Sequence, residues 1–513
     1  RELFYKVKKA QGTDITRIFC GLNDPRNVIP SIGYAKQAGM IAQASLCITH
    51  SPIHTVEYYI ELAKQFIEAG ADEICLKDIA GIGRPVSLGK IVKGIKEYAP
   101  QIPIQYHSHS GPGFSMASIL EVCENGCDYV DVGMSPLSWG TGHADVIAVQ
   151  EMLKDAGFQV KDINMEAYMQ ARTLIQEMLD DFLGYYCPSL NRIDNSLLIK
   201  PGLPGGMMGS LMTDLEENLS SLNKWKEKHG QKPLTTDELL VKLFDEVAYV
   251  WPKVGFPPLV TPFSQYVKNL SLMNVILMEK GKNRWEMFPD TIWDMVLGKA
   301  GKLPGEVDDE IKALAAAQGR QFISTDPQEN YPDCLDEFRA KMKANGWETG
   351  QDDEELFEYA MHPVQYEAYK SGKAKADFEA DLAKRKAEKN APKGAALPES
   401  IIVNLNGASY KLDISYDGTA PAASATAAPV SNSDAEDVPA PISGKFLLTQ
   451  DGSEAPHKVG DHVKRGDVLC YIEAMKINNA ICADFDGTIA AILAHNGDTV
   501  EEDDVIVKMV RDK

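Results

Sequence analysis

From residue 17 onward the chain repeats one pattern. A short apolar run ends in one or two polar residues and is followed by a longer stretch with apolar positions every three to four residues. Runs 17–22, 41–49, 73–77, 102–107 and 129–132 are predicted strands. The stretches between them are predicted amphipathic helices, such as 55–69, with Leu62, Phe66 and Ile67 on one face. Gly39, Gly70 and Gly126 each close a helix before the next strand. A period of about thirty residues per strand–helix unit predicts a parallel α/β sheet, open or closed. No Gly-x-Gly-x-x-Gly or Walker loop follows any of these strands, which argues against a nucleotide-binding open sheet.

The pattern changes twice further on. After Pro262 it is helical, with 335–345, 352–371 and 373–390 carrying charge on their exposed faces. Segments 400–405 and 409–414, joined by Asn406-Gly407, predict a hairpin. Residues 414–439 are an Ala/Pro/Ser/Thr mixture without an aromatic after Tyr416, so no packed core is expected there. Such a linker spans about 30 Å as a coil or about 80 Å extended, enough to carry a tethered domain between two sites. Beyond it lies a duplicated β-rich segment. Gly460-Asp461-His462-Val463 with Gly466-Asp467-Val468 is echoed by Gly497-Asp498-Thr499-Val500 with Asp503-Asp504-Val505. Short alternating strands in two matching halves predict a small flattened barrel. Its connecting hairpin carries Glu473-Ala474-Met475-Lys476, and the apolar Ala-Met shoulder holds Lys476 out on a turn.

Composition narrows the class without naming the chemistry. The 513 residues suggest several domains, and 44% apolar with 25% charged residues is ordinary for a globular protein. A formal charge of −22 argues against nucleic acid or an anionic membrane surface as the main partner. The 9 cysteines follow no disulfide spacing, and Cys123 with Cys127 reads as a buried helical face rather than a metal pair. No run approaches the ~18 apolar residues of a membrane-spanning helix.

Candidate chemistry gathers at the C-terminal ends of the predicted strands, where barrel active sites are built. Asn23-Asp24 ends the first strand, Lys77-Asp78 the third and His107-Ser108-His109 the fourth. His107 and His109, two apart on a strand, point the same way and make half of a divalent-metal site. Lys77 lies one strand–helix unit earlier and at the same level.

Two resemblances rest on these motifs. Residues 440–510 resemble biotin-carrier (biotinyl/lipoyl) domains. The matching stretches are Pro441-Ile442-Ser443-Gly444, the Glu-Ala-Met-Lys tetrapeptide and Asp486-Gly487-Thr488-Ile489. Ile477 departs from the usual second methionine, and residues 447–458 look like the extra "thumb" of some carriers. This resemblance implies biotin covalently bound to Lys476 and attached by a biotin protein ligase. Residues 1–300 resemble the carboxyltransferase domain shared by pyruvate carboxylase, the oxaloacetate decarboxylase α subunit and the transcarboxylase large subunit. Arg17-Ile18-Phe19-Cys20-Gly21-Leu22-Asn23-Asp24, Lys77-Asp78-Ile79-Ala80-Gly81, His107-Ser108-His109 and Gly255-Phe256-Pro257-Pro258 carry that likeness.

The second resemblance implies a TIM-type (β/α)8 barrel and a divalent metal ion (Zn, Mn or Co) held by His107, His109 and a carbamylated Lys77. Partial burial lowers a lysine's pKa and so favours the neutral amine that carbamylation needs. The family places a proton-shuttling hydroxyl three positions after Pro204-Gly205-Gly206. Here that position is Gly209, so Ser210 is the candidate, against the alternative of a plain Gly/Ser turn. Ser110-Gly111-Pro112-Gly113 also replaces the family's usual sequence after His-x-His. Five predicted strands against eight lead to the expectation of an N-terminally incomplete barrel, lacking the strands that carry the family's metal-ligand Asp and a substrate-binding Arg.

The expected organisation is a carboxyltransferase barrel with associated helices over 1–300 and a helical subdomain over 301–399. A hairpin over 400–413, a linker over 414–439 and an all-β biotinyl carrier over 440–513 complete it. The leading functional expectation is carboxyl transfer between a small 2-oxo acid (oxaloacetate/pyruvate) and biotin on Lys476, as in an oxaloacetate decarboxylase α subunit. The alternatives are a B-type subunit of pyruvate carboxylase, a transcarboxylase-type subunit, and a non-catalytic biotin carrier and scaffold with a degenerate barrel. Expected partners are a separate biotin carboxylase or a membrane decarboxylase subunit, with a further copy of the chain in a homo-oligomer. The expected location is the cytoplasm or, through partner subunits, the inner face of the membrane.

Overall fold

A computed structural model describes residues 1–187, 193–204, 207–390, 400–405, 408–413, 435–449, 456–474 and 477–512. Helix α1 (Glu2–Ala10) precedes strands β1 (Ile15–Ile18), β2 (Ile41–Cys47), β3 (Glu73–Asp78), β4 (Ile104–Ser108) and β5 (Tyr129–Val130). Helices α2 (Pro25–Gln37), α3 (Val56–Glu68), α4 (Pro85–Tyr98) and α5 (Ser115–Glu124) connect them, and α6 (Val146–Asp155) follows. The strands are all parallel and lie in the order β1-β2-β3-β4-β5. That unbroken order winds in one direction, without the reversal of a doubly wound sheet, as in a TIM-type barrel.

Strand periodicity sorts the two faces. Ala42, Ala44 and Leu46 of β2, Ile74 and Leu76 of β3, and Ile104 and Tyr106 of β4 pack in one buried cluster with Val28 and Ile32 of α2, Leu62 and Phe66 of α3, and Val92 of α4. The alternate residues form a polar chain on the other face. Arg17 Nε donates to Gln43 Oε1 (2.6 Å), and Gln43 Nε2 donates to Glu73 (2.8 Å) and Gln105 (2.7 Å). The apolar alternation that predicted the strands thus also aims their polar residues at one concave surface. Helix starts follow local chemistry: Asp24 caps α2 and Thr55 caps α3, each side chain accepting a backbone N–H.

Helices α7 (Met165–Asp181), α8 (Met208–Lys228), α9 (Thr236–Lys253), α10 (Phe263–Glu279), α11 (Asp290–Val296) and α12 (Asp309–Ala317) follow. A second core joins α8, α9 and α10 through Leu215, Leu243, Val247, Trp251, Val267 and Leu270, and it includes Leu22 and Leu203 near the barrel. Residues 208–210 start α8 rather than forming a Gly/Ser turn. Next come α13 (Leu335–Ala344), α14 (Glu354–Met361), α15 (Pro363–Lys370) and α16 (Lys373–Asn390). The single helix expected over 352–371 is two, because Pro363 cannot continue a helix and instead takes the first position of α15. Strands β6 (Ser400–Leu405) and β7 (Ala408–Asp413) pair as an antiparallel hairpin. Among the described residues, no helix is long and apolar enough to cross a membrane.

The C-terminal domain is built from β8 (Ala435–Pro439), β9 (Gly444–Leu447), β10 (His462–Val463), β11 (Val468–Ala474), β12 (Ile477–Cys482), β13 (Gly487–Ile492), β14 (Thr499–Val500) and β15 (Val505–Arg511). Two four-stranded antiparallel sheets, β10-β13-β15-β8 and β12-β11-β9-β14, close over Phe446, Ile472, Ile489, Ile506 and Met509. One boundary shifts. Residues 435–439, expected as linker, are strand β8, whose backbone pairs with β15. Their polar composition hid an edge strand, in which only one face needs to be apolar. Residues 414–434, residues 450–455 of the expected thumb, and Lys476 itself lie outside the described residues.

Candidate functional site

The concave face of the sheet ends in three imidazoles. In the strand register Lys77 of β3 is level with His107 of β4. His109 follows one residue past the end of that strand, and its backbone N–H is held by Asp78 O. The third ring belongs to His143, from the loop after β5. That loop is closed on itself by Trp139 N–H to His143 O (2.7 Å) and is tied to the segment after β4 by Ser110 N–H to Gly142 O (2.8 Å). Gly142 is required there, since a Cβ would overlap Leu137 O. Ring centroids are 5.2 Å apart for His107–His109, 4.7 Å for His107–His143 and 4.8 Å for His109–His143.

The hydrogen bonds fix the tautomers. His107 Nδ1 lies 2.7 Å from Asp131 Oδ2, His109 Nδ1 2.5 Å from Thr141 O, and His143 Nδ1 2.7 Å from Ser108 O. Each of these oxygens only accepts, and Asp131 lies closer to His107 Nδ1 than Arg17 Nη1 does (3.2 Å), so each Nδ1 carries the proton. Every Nε2 is left with its lone pair, the form a metal ligand needs. One ring nitrogen from each histidine falls within 4.8 Å of the other two. Burial holds His107 below the usual histidine range and brings His109 down to about 4, so these two rings stay neutral. Three imidazoles with oriented lone pairs fit a divalent cation.

Asp131 anchors this arrangement. It accepts from His107 and from Arg17 Nη1 (2.7 Å), and Gln105 also donates to it. Burial alone would raise its pKa, but the hydrogen bonds from His107 and Arg17 outweigh that and keep it ionised. Lys77 is buried, with its Nζ 4.6 Å from the centre of the Phe19 ring. Burial lowers its pKa first, and the charge of Arg17 lowers it further, while Cys47 and Cys75 work in the opposite direction. Lys77 also acts electrostatically on both His107 and His109.

The other polar strand ends take structural roles. Asn23 is tied to the Cys47 backbone by two hydrogen bonds of 2.9 Å. Asp24 caps α2 and accepts from Lys302 N–H (2.7 Å). Asp78 folds the loop after β3 by accepting from the Ile82 and Gly83 N–H groups, and burial raises its pKa to about 6. Ser210 falls in the first turn of α8, and its side chain is outside the described atoms. Of the residues singled out from the sequence, the structure brings His107 and His109 together and sets Lys77 level with His107; sequence reasoning did not single out Asp131 or His143. Asp131 had a signal, a lone carboxylate at the end of the fifth strand. His143, in a Gly/Ser-rich loop, had none that spacing could reveal.

Comparison with known proteins identifies the architecture. Residues 26–175 match the HMGL-like family, 199–412 the conserved carboxylase domain and 436–509 the biotin-requiring enzyme domain. The chain is 30% identical over 483 residues to the B-type subunit of pyruvate carboxylase from Methanocaldococcus jannaschii, covering 93% of this chain and 77% of that protein. It is 31% identical over 362 residues to the methylmalonyl-CoA carboxyltransferase 5S subunit of Propionibacterium freudenreichii, covering 70% and 66%. The carboxyl transferase domain of Rhizobium etli pyruvate carboxylase shares its fold, with a TM-score of 0.57 at 22% identity over 80% of this chain and 67% of that one. The complete Rhizobium etli enzyme aligns with 99% of this chain, which spans 47% of that larger protein, at a TM-score of 0.56 and 22% identity.

The chain belongs to the biotin-dependent carboxyltransferase family, with an HMGL-like TIM-barrel domain and a C-terminal biotin domain. Biotin and a divalent metal ion are its cofactors. The Methanocaldococcus relative and its Methanothermobacter thermautotrophicus counterpart, each aligned with 93% of this chain, are B-type subunits of pyruvate carboxylase rather than decarboxylase subunits.

Proposed function

We propose that this chain transfers a carboxyl group between biotin on Lys476 and pyruvate, as the transferase-and-carrier subunit of a two-component pyruvate carboxylase. The observation that carries this reading is the combination, in one chain, of a three-imidazole cluster in a barrel mouth and a biotin-requiring domain. The likeness to the B-type subunits of pyruvate carboxylase favours this assignment over the oxaloacetate decarboxylase reading. A separate biotin carboxylase would load the carrier. The same residues would serve the reverse direction, and the partner would then determine the direction of net flux.

His107, His109 and His143 would hold the divalent ion, with the carbamate of Lys77 adding an anionic oxygen. The ion would supply Lewis-acid polarisation of the 2-oxo acid's oxygens. Asp131 keeps His107 in its ligating tautomer and would fix that ring's orientation. Arg17, held by Asp131 and Gln43, keeps a positive charge at the edge of the site. In the transfer, the bond between the ureido nitrogen and the carboxyl carbon breaks, and a carbon–carbon bond to the pyruvate methyl carbon forms. The proton lost from that methyl group passes to the ureido nitrogen, with the Ser210 hydroxyl as the carrier.

The test is pyruvate-dependent carboxyl transfer from free carboxybiotin by the full chain, compared with Lys77→Ala. Transfer by the wild type that is lost in Lys77→Ala is expected. Unchanged activity in the variant would remove Lys77 from the site, and an inactive wild-type chain would favour a scaffold role.

A further inference from the structure

The carrier domain does not sit free of the rest of the chain. Met287, from the segment after α10, packs partly buried against its core. Ser443 Oγ lies 2.9 Å from Ser221 Oγ on α8, and also accepts from the Glu502 N–H at 3.1 Å. Glu502 pairs with Lys280, which ends α10, and these side chains are only 11% and 5% exposed. Lys224 of α8 meets Glu501 at 3.1 Å, but this pair is solvent-exposed and adds little.

The end of the carrier that makes these contacts is set by its strand register. Glu473 pairs with Lys445, and Val500 with Gly444. Ser443, Glu501 and Glu502 therefore lie at the Glu473–Ala474 end of the domain. Ala474 pairs with Ile477, so the two residues that flank Met475 and Lys476 in the sequence both lie at this same end. Gly444 lies so close to that strand that a Cβ there would meet Ile472 Cγ2 at 2.7 Å. Along α8, Ser210 stands eleven residues before Ser221, about 16 Å along the helix axis.

We infer that α8 and the end of α10 form a docking face for the lysine-bearing end of the chain's own carrier domain, latched by the buried Lys280–Glu502 ion pair. In this arrangement both charges are withdrawn from water, and each is satisfied by the other. Loss of either partner leaves a buried charge unpaired, whereas exchanging the two charges preserves the pair. Such a latch sets which end of the carrier meets these helices. The role of the face in transfer rests on the function proposed above; the contact itself does not.

Two measurements on the full-length chain separate these points. Ser221→Cys with Ser443→Cys, under mild oxidation, should form a cross-link visible as a shifted band on a non-reducing gel, which neither single variant forms. Adding Lys280→Glu should slow that cross-linking about tenfold, and Lys280→Glu with Glu502→Lys should restore it. Thermal melts that match the parent exclude misfolding as the cause of slowing. No cross-link, or one whose rate ignores Lys280→Glu, would overturn the docking face. In the transferase assay, Lys280→Glu should lower transfer from the tethered carrier about tenfold while leaving transfer from free carboxybiotin unchanged. Equal loss in both assays would show that Lys280 acts on the barrel rather than on docking. A cross-link in a chain that fails to carboxylate pyruvate would keep the docking face and discard the proposed reaction.

Discussion

The barrel and the carrier solve opposite problems. The barrel gathers Lys77, His107, His109, Asp131 and His143 from its strands and a returning loop, with the three half-buried rings and Asp131 held by hydrogen bonds and Lys77 buried beside them. The carrier is a compact β-sandwich around Phe446 and Ile472, and its candidate functional residue, Lys476, falls in the sequence between the paired residues Ala474 and Ile477. A site that must orient ligands needs long-range support, and its precision comes from neighbours. A lysine that must be reached by a modifying enzyme and by two active sites needs a rigid base and an accessible tip. The two halves should therefore respond differently to perturbation.

The largest effect is expected at the tip. Lys476→Arg should abolish streptavidin-detectable biotin and all transfer through the carrier, while the thermal unfolding of both domains stays unchanged. Retained biotin in that variant would move the attachment site elsewhere. Next, Phe446→Ala should cost the carrier about 3–5 kcal/mol, since Phe446 is fully buried in its core. Calorimetry should show the carrier transition lowered and the barrel transition unmoved, apart from any coupling through the docking face. A uniform shift of both would mean that the domains unfold as one unit.

Acid should separate the halves in the other direction. His54, in the loop between β2 and α3, has its pKa brought down to about 3 by burial, and its Nε2 is buried without a hydrogen-bond partner among the described residues. The unfolded chain takes up this proton near pH 6.5 and the folded chain only near pH 3. Barrel stability is thus fully present above pH 6.5 and falls as pH drops toward 3, by on the order of a few kcal/mol. His54→Gln should flatten that part of the barrel's stability–pH curve and leave the carrier's curve untouched. The smallest effect is expected from Asp131→Asn. Losing the carboxylate behind His107 should weaken divalent-metal affinity about 10- to 100-fold, measured by titration calorimetry, with the fold preserved.

These differences also explain what could be read in advance. Lys476 could be proposed from sequence because its signal is local: four adjacent residues and the flanking β-rich segments contain it all. Lys77, His107 and His109 were legible because strand periodicity and one strand–helix repeat put them at one level of the sheet, and the register pairs Lys77 with His107. Asp24 and Asp78 looked equally chemical in sequence, yet they spend their oxygens on helix and loop N–H groups. His143 was invisible because nothing local says that its loop turns back against Ser108. Strand β8 was missed because an edge strand pairs through its backbone, which composition does not record.

By itself the sequence determined the strand–helix repeat, the inward set of polar strand residues, and a second, β-rich domain. Those features depend on periodicity and on turn chemistry, which act within a few residues. Only the tertiary structure decided which polar groups gathered into a candidate metal site and which became caps, and which end of the carrier meets the helices. Those outcomes depend on hydrogen bonds and buried charges between segments far apart in the chain, such as His107 with Asp131 and Lys280 with Glu502, and no local pattern encodes them.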